Sequence, residues 1–168
     1  AVVVVDNTAA GPAIGGVRMA TDVTADECFR LARAMTLKNA MAGLAHGGGK
    51  SVIAADPSQP LEDKRRLVRA FARAIAPLEE YIPGPDMGTD ETAMAWVRAV
   101  TGRSVGLPRE VGGIPLDEIG ATAIGLVAAI EVAEEFAETN LDGATVVIQG
   151  YGSVGRHAAE LLDARGAR

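Results

Sequence analysis

The chain has 168 residues, enough for one substantial domain or parts of two; 48% are hydrophobic and only 4% aromatic, so Ala, Val, Leu and Ile must fill the core. The net charge of -6 argues against nucleic acid as the main partner, and no apolar run is long enough to span a membrane. A single cysteine, Cys28, excludes an intrachain disulfide and a multi-cysteine metal site and suits a reducing cytoplasm, while His46 and His157 have no second ligand at metal spacing.

In chain order, "AVVVVD" reads as a buried strand, and "NTAAGPAIGGVRM" as a Gly/Pro loop leading into a short extended piece. "TADECFRLARAMTLKNAMAG" reads as a helix. Thr24 and Glu27 form a capping box, Cys28, Leu31, Ala32 and Met35 share one buried face, and Gly43 ends it. A glycine loop follows, and then the strand "SVIAAD". Pro60 opens a second helix with Leu67, Phe71, Ala74, Ile75 and Leu78 inward; Lys64, Arg65, Arg66, Arg69 and Arg73 form its solvated side. After the short strand and loop of "EEYIPGPDMG", Thr89 caps a helix running to Val100, with Asp90 and Glu91 in its first turn. "GRSVGLPREVGGIPLDEIG" marks a domain boundary. A long helix follows from Thr122 to Glu138, with Leu126, Ile130, Ala133 and Ala137 inward. "ATVVIQ" reads as a strand, "GYGSVG" as a glycine turn and "RHAAELLDARG" as a helix. The sequence starts without Met inside an apolar run and stops just after a helix, so a piece of a longer protein is expected.

Four features carry chemistry. "HGGGKS" imitates a P-loop, but the opening glycine of that motif would fall on Leu44, and here a helix precedes the lysine and a strand follows it. The three glycines instead clear side chains from the approach to Lys50. Lys38 continues the apolar stripe of the first helix; either it meets an anion or it snorkels to the surface. Asp86 lies in the Gly/Pro loop "GPDMGTD", where position alone favours a helix cap over chemistry. Gly150, Gly152 and Gly155 spell G-x-G-x-x-G between a Val-rich strand and an amphipathic helix, the context a dinucleotide turn requires; the bland alternative is a tight turn without a ligand.

The stretches "GPAIGGVRM", "MTLKNAMAGLAHGGGKSV", "GPDMGTD", "GATAIG" and "LDGATVVIQGYGSVG" resemble the dehydrogenases that act on glutamate, leucine, phenylalanine or valine. The resemblance implies an α/β fold. An N-terminal α/β substrate and dimerisation domain over residues 1–115 would precede a linker helix and the start of a Rossmann doubly wound parallel sheet over 116–168. It implies reversible deamination of an L-amino acid with NAD or NADP, in a cytoplasmic homo-oligomer that needs no metal. By motif, Lys50 is the catalytic lysine and Asp86 the proton shuttle. Lys38 holds the substrate carboxylate, Thr122 touches the cofactor, and Gly150, Gly152 and Gly155 carry its pyrophosphate. Ala123 adds a methyl near the cofactor where relatives usually have glycine. Ile14 occupies the position where glutamate-specific relatives carry a lysine, so an apolar or branched-chain substrate is expected, with Gly84 leaving the pocket room. The competing expectation is an inactive fragment or a regulatory relative that keeps the motifs.

Overall fold

The computed structural model describes residues 1–168, which divide into two units, Ala1–Ile114 and Pro115–Arg168. No helix is long and apolar enough to cross a membrane.

The first unit is built on a mixed sheet with the order β1-β3-β2-β4, from β1 (Val2–Asn7), β2 (Ala13–Ala20), β3 (Gly47–Ala54) and β4 (Tyr81–Pro85). β1 runs antiparallel to β3, whereas β2 is parallel to both β3 and β4. Three helices join these strands: α1 (Ala25–Met41), α2 (Leu61–Ile75) and α3 (Glu91–Thr101).

Three strand expectations change. The valine run is an edge strand, not a buried one, and Val2 and Val5 stay 36% and 38% exposed. The short extended piece is the eight-residue β2, bonded on both sides. The glycine loop does not exist: Gly47, Gly48, Gly49 and Lys50 are themselves the buried first half of β3. Glycine weakens an isolated strand, but it suits one approached closely by its neighbours. A Cβ on Gly48 would collide with the Thr36 amide nitrogen and hydroxyl of α1, and one on Gly49 would sit 2.8 Å from the Tyr81 ring.

Side chains alternate across a sheet. One face sends Val17, Met19, Ile53 and Tyr81 into a core with Val68, Phe71, Ala72 and Ile75 of α2 and Ala93, Met94 and Val97 of α3. Each large apolar side chain buried there contributes about 1.5–3 kcal/mol. The stripe of α2 is therefore rotated from the expected one, and Ala74 and Leu78 are exposed. The Tyr81 hydroxyl donates to the Gly15 carbonyl at 3.0 Å and accepts from Ser51 Oγ at 2.8 Å. Burial drives this phenol well above its ordinary pKa.

α1 covers the opposite face. Thr24 caps it, accepting from the Glu27 amide at 3.1 Å, but the Glu27 carboxylate does not return to complete the capping box. Cys28, Ala32 and Asn39 are buried, and Asn39 Nδ2 donates to the Gly47 carbonyl at 2.8 Å. Lys38 is exposed, contrary to its expected place on the inward stripe. At 3.6 residues per turn, Asn39 returns to within about 20° of Cys28, whereas Lys38 lies roughly 80° away on the other side.

The second unit holds α4 (Ala121–Ala137) and α5 (Ser153–Asp163), packed through Ala123, Val127, Leu141, Ala158, Leu162 and Ala167. Ala133 and Ala137 are exposed rather than inward, Leu126 lines an open groove beside Ile130, Ala158 and Leu162, and Ala123 turns its methyl into this core. The "ATVVIQ" segment joins no assigned sheet. Its one ladder-like pairing is with the last residue: the Arg168 amide donates to the Ala144 carbonyl at 2.8 Å, and the Val146 amide donates to the Arg168 carbonyl at 2.9 Å. That alternation is the start of a parallel ladder around an α5 crossover.

Candidate active site

Period-2 alternation places Ile14, Lys50 and Gly84 on one sheet face. Ile14 of β2 lies opposite Gly48 and Ile82, Gly16 lies opposite Gly84, and Val17 lies opposite Ser51 and Pro85. The next step along both strands brings Arg18 beside Asp86, and Lys50 emerges on that same face two residues beyond Gly48.

Lys50 is only 6% exposed, and its ammonium is ion-paired with Asp86 Oδ2. The same oxygen faces Arg18 Nε at 3.3 Å, and Arg18 Nη1 reaches Glu27 Oε1 at 2.5 Å. The result is a chain of alternating charge, Lys50–Asp86–Arg18–Glu27, with no net charge. Such balance is what lets ionised groups sit away from water. Sequence reasoning missed Arg18 and Glu27. Arg18 lay in a strand not recognised at full length, and Glu27 had been assigned to the cap.

The Asp86 loop is fixed at several points. Asp86 Oδ1 accepts from the Met87 amide at 2.8 Å. Thr89 Oγ1 accepts from the Asp86 amide at 3.0 Å and donates to the Val17 carbonyl at 2.7 Å. Thr89 is therefore a loop clamp, and the cap of α3 is Asp90, which accepts from the Ala93 amide at 2.8 Å. Asp86 caps nothing. Its side chain lies across bare backbone, for a Cβ on Gly16 would stand 2.7 Å from Asp86 Cβ. Gly84 has Val105 as its neighbour, 3.0 Å from where its own Cβ would be.

Burial by itself pushes the Asp86 carboxyl up. The Lys50 hydrogen bond, the Met87 amide and the Lys50 and Arg18 charges outweigh it, so the group lies below its ordinary value and is ionised at neutral pH. For Arg18, burial is likewise overcome by Glu27 and Asp86, which hold the guanidinium charged. Cys28 Sγ donates to the Lys50 carbonyl at 3.3 Å, and burial raises this thiol, so it stays neutral beside the site. The arrangement offers a buried ammonium and a carboxylate within proton-exchange distance of each other. Lys38 stands apart from this cluster, exposed on α1 and without an ion-pair partner.

In the second unit, Thr122 is exposed in the first turn of α4. Gly150 has φ +90°, and a Cβ on Gly155 would collide with the Gly150 carbonyl. Nothing lies within 4 Å of the Cβ position of Gly152, and no side chain caps α5. A tight turn with bare backbone before an uncapped helix N-terminus fits a pyrophosphate.

Comparisons with known proteins agree with these two halves. Residues 1–103 match the Glu/Leu/Phe/Val dehydrogenase dimerisation domain, and residues 112–168 match the glutamate/leucine/phenylalanine/valine dehydrogenase domain. An NAD-specific glutamate dehydrogenase A from Halobacterium salinarum is 39% identical over 171 residues, covering 94% of this chain and 39% of that protein. An NADP(+)-dependent glutamate dehydrogenase from Pyrobaculum calidifontis is 39% identical over 176 residues, covering 96% and 41%. Among solved structures, the leucine-bound hetero-hexameric glutamate dehydrogenase from Thermus thermophilus superposes with a TM-score of 0.91 at 34% identity, covering 99% of this chain and 43% of that one. The L-tryptophan dehydrogenase from Nostoc punctiforme gives 0.60 at 29% identity, covering 99% and 47%. The chain thus spans about two-fifths of the length of the curated relatives it matches.

Proposed function

The chain belongs to the Glu/Leu/Phe/Val dehydrogenase family, and on that premise we propose that it is part of an NAD(P)-dependent enzyme that reversibly deaminates an L-amino acid to a 2-oxo acid and ammonia. The buried Lys50–Asp86 pair is the observation that carries this reading. Residues 1–115 form the substrate domain, and 116–168 begin the dinucleotide-binding domain. The bound nicotinamide supplies a hydride acceptor. The Lys50 ammonium orients the attacking water and then holds the developing carbonyl oxygen, while the proton that the water loses passes to the amine through Asp86. Asp86, ionised and fixed by the Met87 amide, accepts and returns the amine proton. Lys38, with no internal partner, is available to the substrate α-carboxylate. Gly150, Gly152, Gly155 and the α5 N-terminus hold the pyrophosphate, with Thr122 beside it.

The substrate side chain is apolar in this reading, with leucine or valine ahead of phenylalanine. Ile14 is half-buried on the same sheet face as Lys50 and brings no charge, so a side-chain carboxylate buried against it would lack a partner. The curated relatives named above are glutamate dehydrogenases; by motif resemblance, Ile14 stands where glutamate-specific members carry a lysine. The test is kcat/KM of the complete protein for leucine, valine, phenylalanine and glutamate. A clear preference for glutamate would remove Ile14 as the specificity residue. The assembly is a homo-oligomer formed through residues 1–115, readable from native mass. A second reading is favoured by the likeness to a hetero-hexamer: a regulatory subunit that binds an amino acid without turning it over. Turnover by the complete protein expressed alone excludes it.

A further inference from the structure

We propose that Arg18, braced by Glu27, is a positioning residue that keeps the Asp86 carboxylate aimed for proton transfer while Lys50 engages the substrate. This rests on the role of Asp86 proposed above.

Asp86 Oδ2 is shared by two cations from different strands, Lys50 of β3 and Arg18 of β2. The chemistry calls on Lys50 to meet water and the carbonyl oxygen, and while it does so its hold on Asp86 must slacken. Two contacts remain. The Met87 amide hydrogen-bonds Oδ1, and the Arg18 guanidinium stays 3.3 Å from Oδ2 as an ion pair without a hydrogen bond from Nε, so charge still draws that oxygen to one side. Arg18 is suited to this because its guanidinium stays charged at any working pH and has several donors in a rigid plane. One part of that plane is already committed: Nη1 lies 2.5 Å from Glu27 Oε1. Glu27 is rooted in the first turn of α1, where its own amide is tied to Thr24 Oγ1. Arg18 itself sits in β2, bonded on both sides. The guanidinium is therefore held from both ends, by a strand and by a helix.

The groups facing Asp86 from the surrounding elements are few. They are Lys50 from β3, Arg18 from β2 and, through Arg18, Glu27 from α1; the Tyr81 phenol of β4 is neutral, as is the Cys28 thiol that faces Lys50 from α1. Removing Arg18 deletes the one cation that does not also serve the substrate. The carboxylate then takes up a proton more readily and loses its second contact.

The experiment is kcat and KM of the complete enzyme across pH for wild type, Arg18→Gln, Arg18→Lys, Glu27→Gln, Arg18→Gln/Glu27→Gln and Asp86→Asn. Arg18→Gln lowers kcat by about a hundredfold, the cost of a slightly misplaced group, with little change in amino-acid KM. Its acid limb moves up by about one pH unit, because an opposite charge within reach of the carboxylate is gone. Arg18→Lys keeps the acid limb in place while kcat falls, since one ammonium cannot span Asp86 and Glu27. The double variant is no worse than Arg18→Gln, because Glu27 acts only through Arg18. An Arg18→Gln profile that coincides with wild type, or a loss confined to KM, overturns the proposal. Should Arg18→Gln fail to fold, wild-type kcat in Arg18→Lys overturns it equally. Asp86→Asn separates the two layers. If that variant turns over normally, the role of Asp86 is wrong; if it is inactive and the Arg18→Gln profile is unmoved, only the role of Arg18 is wrong.

Discussion

The two units solve the same problem to different degrees. In Ala1–Ile114 the sheet is covered by α2 and α3 on one face and α1 on the other, and its site residues are placed by backbone register. In Pro115–Arg168 two helices pack on each other while much apolar surface stays open, with Phe136 81% and Val147 90% exposed. A helix apolar on most of its faces, like α4, needs more cover than one partner helix gives. Local geometry is nevertheless present in both. The Lys50 site is backed by a core within its own unit, whereas within these 168 residues the apolar surface around the glycine turn is only partly covered. Catalysis and cofactor binding should therefore fail separately when each is disturbed.

The largest break is Lys50→Ala in the complete enzyme. A positioned acid–base group contributes about 10²–10⁴-fold, so kcat should fall by at least that order while the dinucleotide KM holds. Wild-type-like kcat in a folded variant would take Lys50 out of the mechanism. The mirror-image change is Gly152→Ala. Space there is open, so the fold should be untouched while the added methyl raises the dinucleotide KM. An unchanged KM would mean that the turn carries no pyrophosphate.

Hydrogen exchange on the 168-residue chain sharpens the contrast. Amides of β2 and β3 should exchange more slowly than those of Val147–Gln149 by on the order of a thousandfold, the ratio a ~4 kcal/mol difference in opening free energy gives. Equal protection would show that the second unit is closed after all. The same chain should not reduce NAD with any amino acid.

A smaller effect is expected from Gly48→Ala. The new methyl meets the backbone of α1, which cannot swing aside as a side-chain tip can. Overpacking of this kind costs about 1–3 kcal/mol, read as a lowered urea midpoint. Gly152→Ala is its control, and equal midpoints would contradict the close packing of α1 on β3.

The same contrast explains what was legible in the residues. Motif matches singled out Lys50, Asp86 and the glycine turn, and local rules found α1 with its Thr24 cap. They failed where tertiary structure overrides propensity. The glycines of "GGGK" read as loop because glycine is a poor strand former alone; against α1 and Tyr81 their bareness is what the strand requires. Read only as a short extended piece, β2 gives no phase for Arg18, and so the second cation at Asp86 stays hidden. On α4 nearly every face is apolar, so nothing in the pattern could tell Val127, which is buried, from Leu126, which is not. Lys38 follows Leu31 by seven residues, but Leu31 lies at the margin of the buried stripe and not its centre, so Lys38 falls outside it.

The smallest prediction concerns acid. Asp86 lies below its ordinary pKa in the folded chain. Below the unfolded value, about 3.9 for an aspartate, the unfolded chain binds the proton first, so stability falls as pH falls. The contribution is therefore complete above about pH 4 and is lost as pH drops through the folded value. Asp86→Asn lacks this contribution and also leaves Lys50 with less compensation. Wild type should accordingly be the more stable at pH 7, and its advantage should shrink steadily below about pH 4. Trp96 reports on the right half of the molecule, being the sole tryptophan of the chain and packed against the core of the first unit. Urea unfolding followed by its fluorescence across pH 7 to 3 therefore isolates the site's own unit. A constant gap between wild type and Asp86→Asn over that range would mean that the carboxylate is not held ionised by Lys50 and Arg18. The charge chain would then be a feature of geometry without energetic weight.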